Sequence, residues 1–154
     1  MANGARDGQV LATVRRGILA IVLLGLSGMS IELWLIGHHE DSNQWIPLVV
    51  AAATLVVLAW AALRPGVGSL RAMQFMMLTC IGTGILGVTL HFQANAAFQR
   101  ELDPTIAAGA LIWKVVEATA PPALSPGLMV QLGLLGLVYT YKHPALRGEE
   151  FDGR

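Results

Sequence analysis

The chain reads as long apolar runs broken by short polar punctuation. From Gly17 to Gly37 the only charged residue is Glu32, and the run is close to the ~20 residues an α-helix needs to cross a hydrocarbon core. His38 to Gln44 is a polar turn. Trp45 to Leu63 is a second run without charge, and its Pro47 falls in the first helical turn, where a missing N–H costs nothing. Arg64-Pro65-Gly66 stops it. Ser69 is a suitable N-cap for a third run, Leu70 to about Phe92, with no charge between Arg71 and Arg100 and room to continue as a wetter helix to Glu101. Asp103-Pro104 offers a cap followed by Pro at the first helical position, opening a helix over about 104–119 that Pro121-Pro122 closes. Ser125-Pro126 repeats that signal and starts a fourth run, ended by Lys142-His143-Pro144.

These runs predict an all-α membrane protein: a bundle of four transmembrane helices with spans of about 17–37, 45–63, 70–92 and 124–141. The segment 104–119 is too short and too charged to span. Its Lys114 and Glu117 share a face with Asp103, Ala107 and Ala110, opposite Ile106, Trp113 and Val116, the pattern of an amphipathic helix lying in the membrane interface. Residues 1–16 and 143–154 are expected to be mobile polar tails flanking a transmembrane domain over 17–142.

Charge position sets the orientation. Of ten Lys and Arg residues, Arg6, Arg15, Arg16, Arg64, Arg71, Lys142, Arg147 and Arg154 fall on one side, while Arg100 and Lys114 fall on the other. Eight against two places both termini inside. Aromatic residues agree, with Trp34, Trp45 and Phe92 near the outer boundary and Trp60, Phe75, Tyr139 and Tyr141 toward the inner one. The first apolar run continues to Ile36 without a small-residue cleavage site, so it reads as an uncleaved signal anchor.

Composition narrows the class further. With 55% hydrophobic and 13% charged residues, the chain holds more apolar surface than one soluble core can hide, and lipid must cover the excess. A net charge of zero gives no attraction for nucleic acid. The single cysteine, Cys80, excludes an intrachain disulfide and a CxxC site. Compactness and basic cytoplasmic flanks point to a bacterial inner membrane.

Helical spacing gathers the polar intramembrane residues near the outer surface. Gly25, Gly28, Glu32 and His39 follow steps that share a face, as do Gly84, Gly87 and His91. Gln131 enters the fourth helix at a depth close to that of Glu32. A carboxylate in hydrocarbon is costly, so Glu32 is expected to face the interior, protonated or paired, in a polar ligand or proton site with Gln131 and His91. The glycines Gly25, Gly28, Gly84 and Gly87 are expected to let helix backbones approach closely. His38, His39, Glu40, Asp41 and His91 are N and O donors suited to a divalent metal such as zinc or copper. Alternatively, His38 or His39 could pair with His91 to ligate a haem b.

No catalytic motif is complete. Gly82-Thr83-Gly84-Ile85-Leu86-Gly87 matches GxGxxG but lies inside an apolar helix with no preceding strand, so it is not a dinucleotide fingerprint. Four spans with an acid in the first resemble the small multidrug-resistance exporters, on helix count and Glu32 alone. The outer loop with its interfacial helix, the charge bias and the outward placement of Glu32 depart from that pattern, and the family's function is not carried over. The sequence therefore points to a non-enzymatic accessory protein or complex subunit, in contact with lipid and with other membrane subunits or a second copy. The alternatives are a haem- or metal-binding redox protein and a proton-coupled transporter in which Glu32 titrates.

Overall fold

The computed structural model describes residues 2–117 and 124–146. Among them there is no strand. The chain forms α1 (Ala2–Leu35), α2 (Trp45–Leu63), α3 (Val67–Leu102), α4 (Ala108–Val116) and α5 (Leu124–Thr140), with single 3₁₀ turns at Ser42–Gln44 and Pro144–Leu146. Three helical stretches are long and apolar enough to cross a membrane: Arg6–Leu35, Ser42–Leu63 and Val67–Leu102. The apolar α5 is shorter.

Several expected boundaries move. Residues 2–16 are not a mobile tail but the first turns of α1, which at ~1.5 Å per residue is about 51 Å long. No proline or helix-breaking run precedes Gly17, so the helix nucleated by the apolar span propagates backward through its polar flank. α3 is likewise continuous over 36 residues, and its last turns extend past a ~30 Å core. It begins at Val67, so Ser69 is not the N-cap. The Ser69 hydroxyl sits one turn inside, accepts from the Gly66 N–H at 3.0 Å and donates to the Arg64 carbonyl at 2.9 Å. Asp103 does not cap α4 either. Its carboxylate accepts from the Thr105 N–H at 3.0 Å and the Thr105 hydroxyl at 2.8 Å, closing a local Asx turn that delays the helix to Ala108.

α4 packs on α3 through Leu111 and Val115, and of the apolar side expected to face the membrane interface it leaves Trp113 and Val116 exposed while Ile106 joins the packing. Leu111 and Val115 are buried against Ala96, with Phe92 at the edge. The overhanging end of α3 carries its own apolar stripe, and the (i, i+4) pair Leu111/Val115 is the one that reaches it. The Pro121-Pro122 stop, the end of the 104–119 segment and residues 147–154 lie outside the described residues.

α1 packs against α2 and α5, and α3 packs against the same two helices. The shared core includes Leu26, Leu58, Leu70, Met73, Met77 and Met129, all fully buried. The surface facing away stays apolar, as Leu24, Leu35, Val56, Leu63 and Phe75 show. Buried polar side chains are tied across helices: Thr54 Oγ1 lies 3.3 Å from Cys80 Sγ, and Gln74 Nε2 donates to Thr140 Oγ1 at 3.2 Å. Where α5 ends, Lys142 turns left-handed (φ 48°) and tucks His143 back against Tyr139, ring centroids 5.5 Å apart. The Arg15 guanidinium donates to the carbonyls of Tyr141 and Lys142 at 3.2 and 3.0 Å, so the polar flank of α1 satisfies acceptors in the turn that follows α5.

The closest helix pair, α3 with α5, meets where side chains are missing. A Cβ on Gly84 would stand 2.6 Å from the Pro126 carbonyl oxygen and 2.6 Å from Val130 Cγ2, and one on Gly133 would stand 2.8 Å from the Met77 carbonyl oxygen. Gly87 faces Pro126, and Gly136 faces Met77. In α1, an added Cβ on Gly25 would meet Leu132, whereas Gly28 has nothing within 4 Å. Replacing Gly84 by Ala should destabilise the protein by about 1–3 kcal/mol, because backbone cannot yield. Gly28→Ala, in open space inside α1, should leave stability unchanged or raise it by up to about 1 kcal/mol, with no fall in melting temperature. Equal melting temperatures for the two variants in detergent would show that α3 and α5 are not in this contact.

Candidate functional site

The site begins with the way α1 stops. Gly37 adopts a left-handed φ of 73°, the Gly37 N–H donates to the Trp34 carbonyl at 3.1 Å, and the His38 N–H reaches back to the Leu33 carbonyl at 2.9 Å. This paired closure needs a residue without a Cβ at its left-handed position. It directs His38 back over the end of the bundle. Across the turn, the side-chain oxygen of Gln44 accepts the amides of Glu40 and Asp41 at 2.9 and 3.3 Å, holding Gln44 beside the start of α2.

A cavity of about 260 Å³ opens at this end, where α1 finishes, α2 and α5 begin and α3 passes through. Met29, Leu33, Leu90 and Met129 give it apolar walls, and Gly84 and Gly87 form the α3 side. His38, Asn43, Gln44 and His91 supply its polar groups. The His38 and His91 rings stand with centroids 6.0 Å apart and planes 23° from parallel. Burial, and then the positive charge His91 carries when protonated, lowers the His38 pKa below its ordinary value of 6.5.

The other residues expected here lie elsewhere. Glu32 and Gln131 are both exposed, and neither lines the cavity. The buried stripe of α1 is Val22, Leu26, Met29 and Leu33, spaced four, three and four, which leaves Glu32 about 100° around the helix from Leu33. The same competition in α5 turns Met129, Leu132, Gly133 and Gly136 inward and Gln131 out. Apolar and glycine positions pack, and the polar residue between them takes the remaining face. Glu32 is one turn from the end of α1, within reach of a snorkelling path to water.

His39 turns the opposite way from His38. It stacks on Trp34 at 4.6 Å and 12°, with Trp45 edge-on at 6.1 Å, and its Nδ1 is buried with no hydrogen-bond partner among the described residues. Glu40 and Asp41 are exposed. The five donors expected to share a metal are therefore dispersed, and among the described residues no three His, Cys, Asp or Glu side chains converge. A protein zinc site uses three or four. The cavity is also smaller than the ~300–1,000 Å³ typical of sites for drug-sized ligands, too small for a porphyrin. Neither a divalent metal nor haem b fits the site as built.

Asn43, Gln44, Thr83 and Ser125 line the cavity without having been anticipated. The turn composition and the Ser-Pro start of α5 carried the signal, but nothing in spacing along one helix relates them to one another. Comparison with known family models, curated proteins and solved structures finds no match to the chain.

The lowered pKa of His38 has a definite consequence for stability. The fold favours neutral His38, so its contribution is complete above pH 6.5 and is lost as pH falls through that value toward the lowered one. His143, also lowered by burial and then by Arg15, acts in the same direction. Melting temperature should fall between pH 7.5 and pH 5, and His38→Gln should flatten part of that fall, leaving the part that His143→Gln removes. A wild-type curve that rises toward pH 5 would contradict the burial of both imidazoles.

Proposed function

We propose that this is a four-span membrane protein with both termini cytoplasmic, a non-enzymatic accessory or subunit whose cavity at the outer face receives a small molecule. The cavity carries the reading: four helices contribute to it, and its polar groups converge at the helix ends on apolar walls. Concave, mostly apolar walls with a few placed polar groups are the features of small-ligand sites, and the volume of about 260 Å³ restricts this one to a ligand, or the part of one, below drug size. Three long apolar helices, with the shorter apolar α5 packed on both α1 and α3, support four spans. Basic residues at Arg15, Arg64, Arg71 and Lys142 support an inner position for the opposite end of the bundle. Exposed Ile112 and Trp113 of α4, beside exposed Phe98 and Leu102 in the last turns of α3, support a membrane-interface position for α4.

Orientation is read directly by thiol labelling, because the native Cys80 is fully buried. In intact cells, a membrane-impermeant maleimide should modify Ser42→Cys, in the turn beside the cavity, and should modify Gly66→Cys only after lysis. The reverse pattern would place the cavity in the cytoplasm and overturn the proposed orientation.

A further inference from the structure

We propose that the cavity beneath the α1–α2 turn receives an uncharged amphiphile with a carbonyl-bearing head, the chemical class to which membrane quinones belong. The head lies at His38, His91 and Gln44, and the chain lies along Met29, Leu33 and Met129. This rests on reading the cavity as a ligand site and adds the identity of what fills it.

The wall excludes charge. Among the described residues its lining has no Asp, Glu, Lys or Arg, so an ion entering would surrender its hydration to groups that cannot neutralise it. The polar groups favour an acceptor. The His38 ring borders the cavity and, as a neutral imidazole, offers one N–H donor and one acceptor nitrogen. Gln44 has its oxygen occupied by the amides of Glu40 and Asp41, which leaves its Nε2 as the group free to donate. His91 faces His38 at 6.0 Å and supplies a further ring N–H. Groups able to donate therefore border one space from the turn and from α3, and among the described residues that line it there is no carboxylate to accept them.

The rim offers an apolar route. Ile46, Leu86 and Leu90 border the cavity and are 37%, 46% and 40% exposed. Part of the rim is therefore apolar and open, as a molecule arriving from the bilayer would need, while exposed Asn43 and Ala94 border the same cavity. A volume of about 260 Å³ holds a single ring and the first carbons of a chain, with the remainder lying over that rim.

Protection of a thiol at the rim tests this. Ala94 borders the cavity and is exposed, so Ala94→Cys in the full chain, reconstituted in nanodiscs, should react with a water-soluble maleimide. A fully substituted benzoquinone bearing a decyl chain should slow that reaction at least about tenfold, while decanoate and decyltrimethylammonium at the same concentration slow it by less than about twofold. The His38→Leu/His91→Leu double variant should lose the protection. Equal protection by the charged probes would leave a ligand site but overturn the uncharged class. Quinone protection that survives in the double variant would overturn the placement of the head. If no probe protects and Ala94→Cys reacts as fast as Ser42→Cys, both this assignment and the ligand-site reading fall. Thr83→Cys, on the same wall, serves the same measurement should Ala94→Cys not fold.

Discussion

The contact between α3 and α5 is the constraint on which the rest depends. Inside lipid, burying apolar surface between two helices gains little over leaving it against acyl chains, so association relies on close van der Waals contact and on hydrogen bonds. Here the approach is made possible by absent side chains. Gly84 and Gly87 admit Pro126 and Val130, and farther along the pair Gly133 and Gly136 admit Ile81 and Met77. Because glycines alternate between the helices, each backbone is locked at two levels and sliding would drive a side chain into a carbonyl. That lock fixes the beginning of α5 beside the middle of α3, which is where the cavity forms.

The two ends of the bundle are treated differently as a result. At one end the chain is drawn shut: Arg15 from α1 reaches the carbonyls of Tyr141 and Lys142, just past the end of α5, and His143 packs on Tyr139 while its Nδ1 accepts the Ala145 amide at 3.2 Å. At the other end α5 begins beside α3, while α1 stops in a glycine-closed turn and α2 starts on a 3₁₀ turn. The short helices and the long α3 cannot all fill the same cross-section there. The space left over is polar on the turn side and apolar on the helix side, which suits a ligand with two unlike halves.

The histidine pair shows how local geometry separates neighbours in sequence. His38 and His39 are adjacent, yet one faces the cavity and the other is clasped between Trp34 and Trp45. The left-handed Gly37 turns the chain between α1 and the loop, and successive side chains then leave on different sides. A shared metal would need both rings on one ion, and the tryptophans already hold one of them. The same turn positions Gln44 as a donor by occupying its oxygen with backbone amides.

Hydrophobic pattern by itself determined the helical class, the stretches long enough to span, the polar turn at residues 38–44, and the candidacy of Gly84, Gly87 and His91. Those features follow from run length and spacing along one helix, which are local properties of the chain. Tertiary structure decided what local rules cannot reach: that Glu32 and Gln131 face outward, that His38 and not His39 meets His91, and that α4 packs through Leu111 and Val115. Each of these is a competition between faces of one helix for a single interior. Its outcome depends on which neighbour lies opposite, and in α1 the stripe from Val22 to Leu33 prevailed because close packing rewards shape on every contacting turn, whereas a lone polar group near a helix end can reach water.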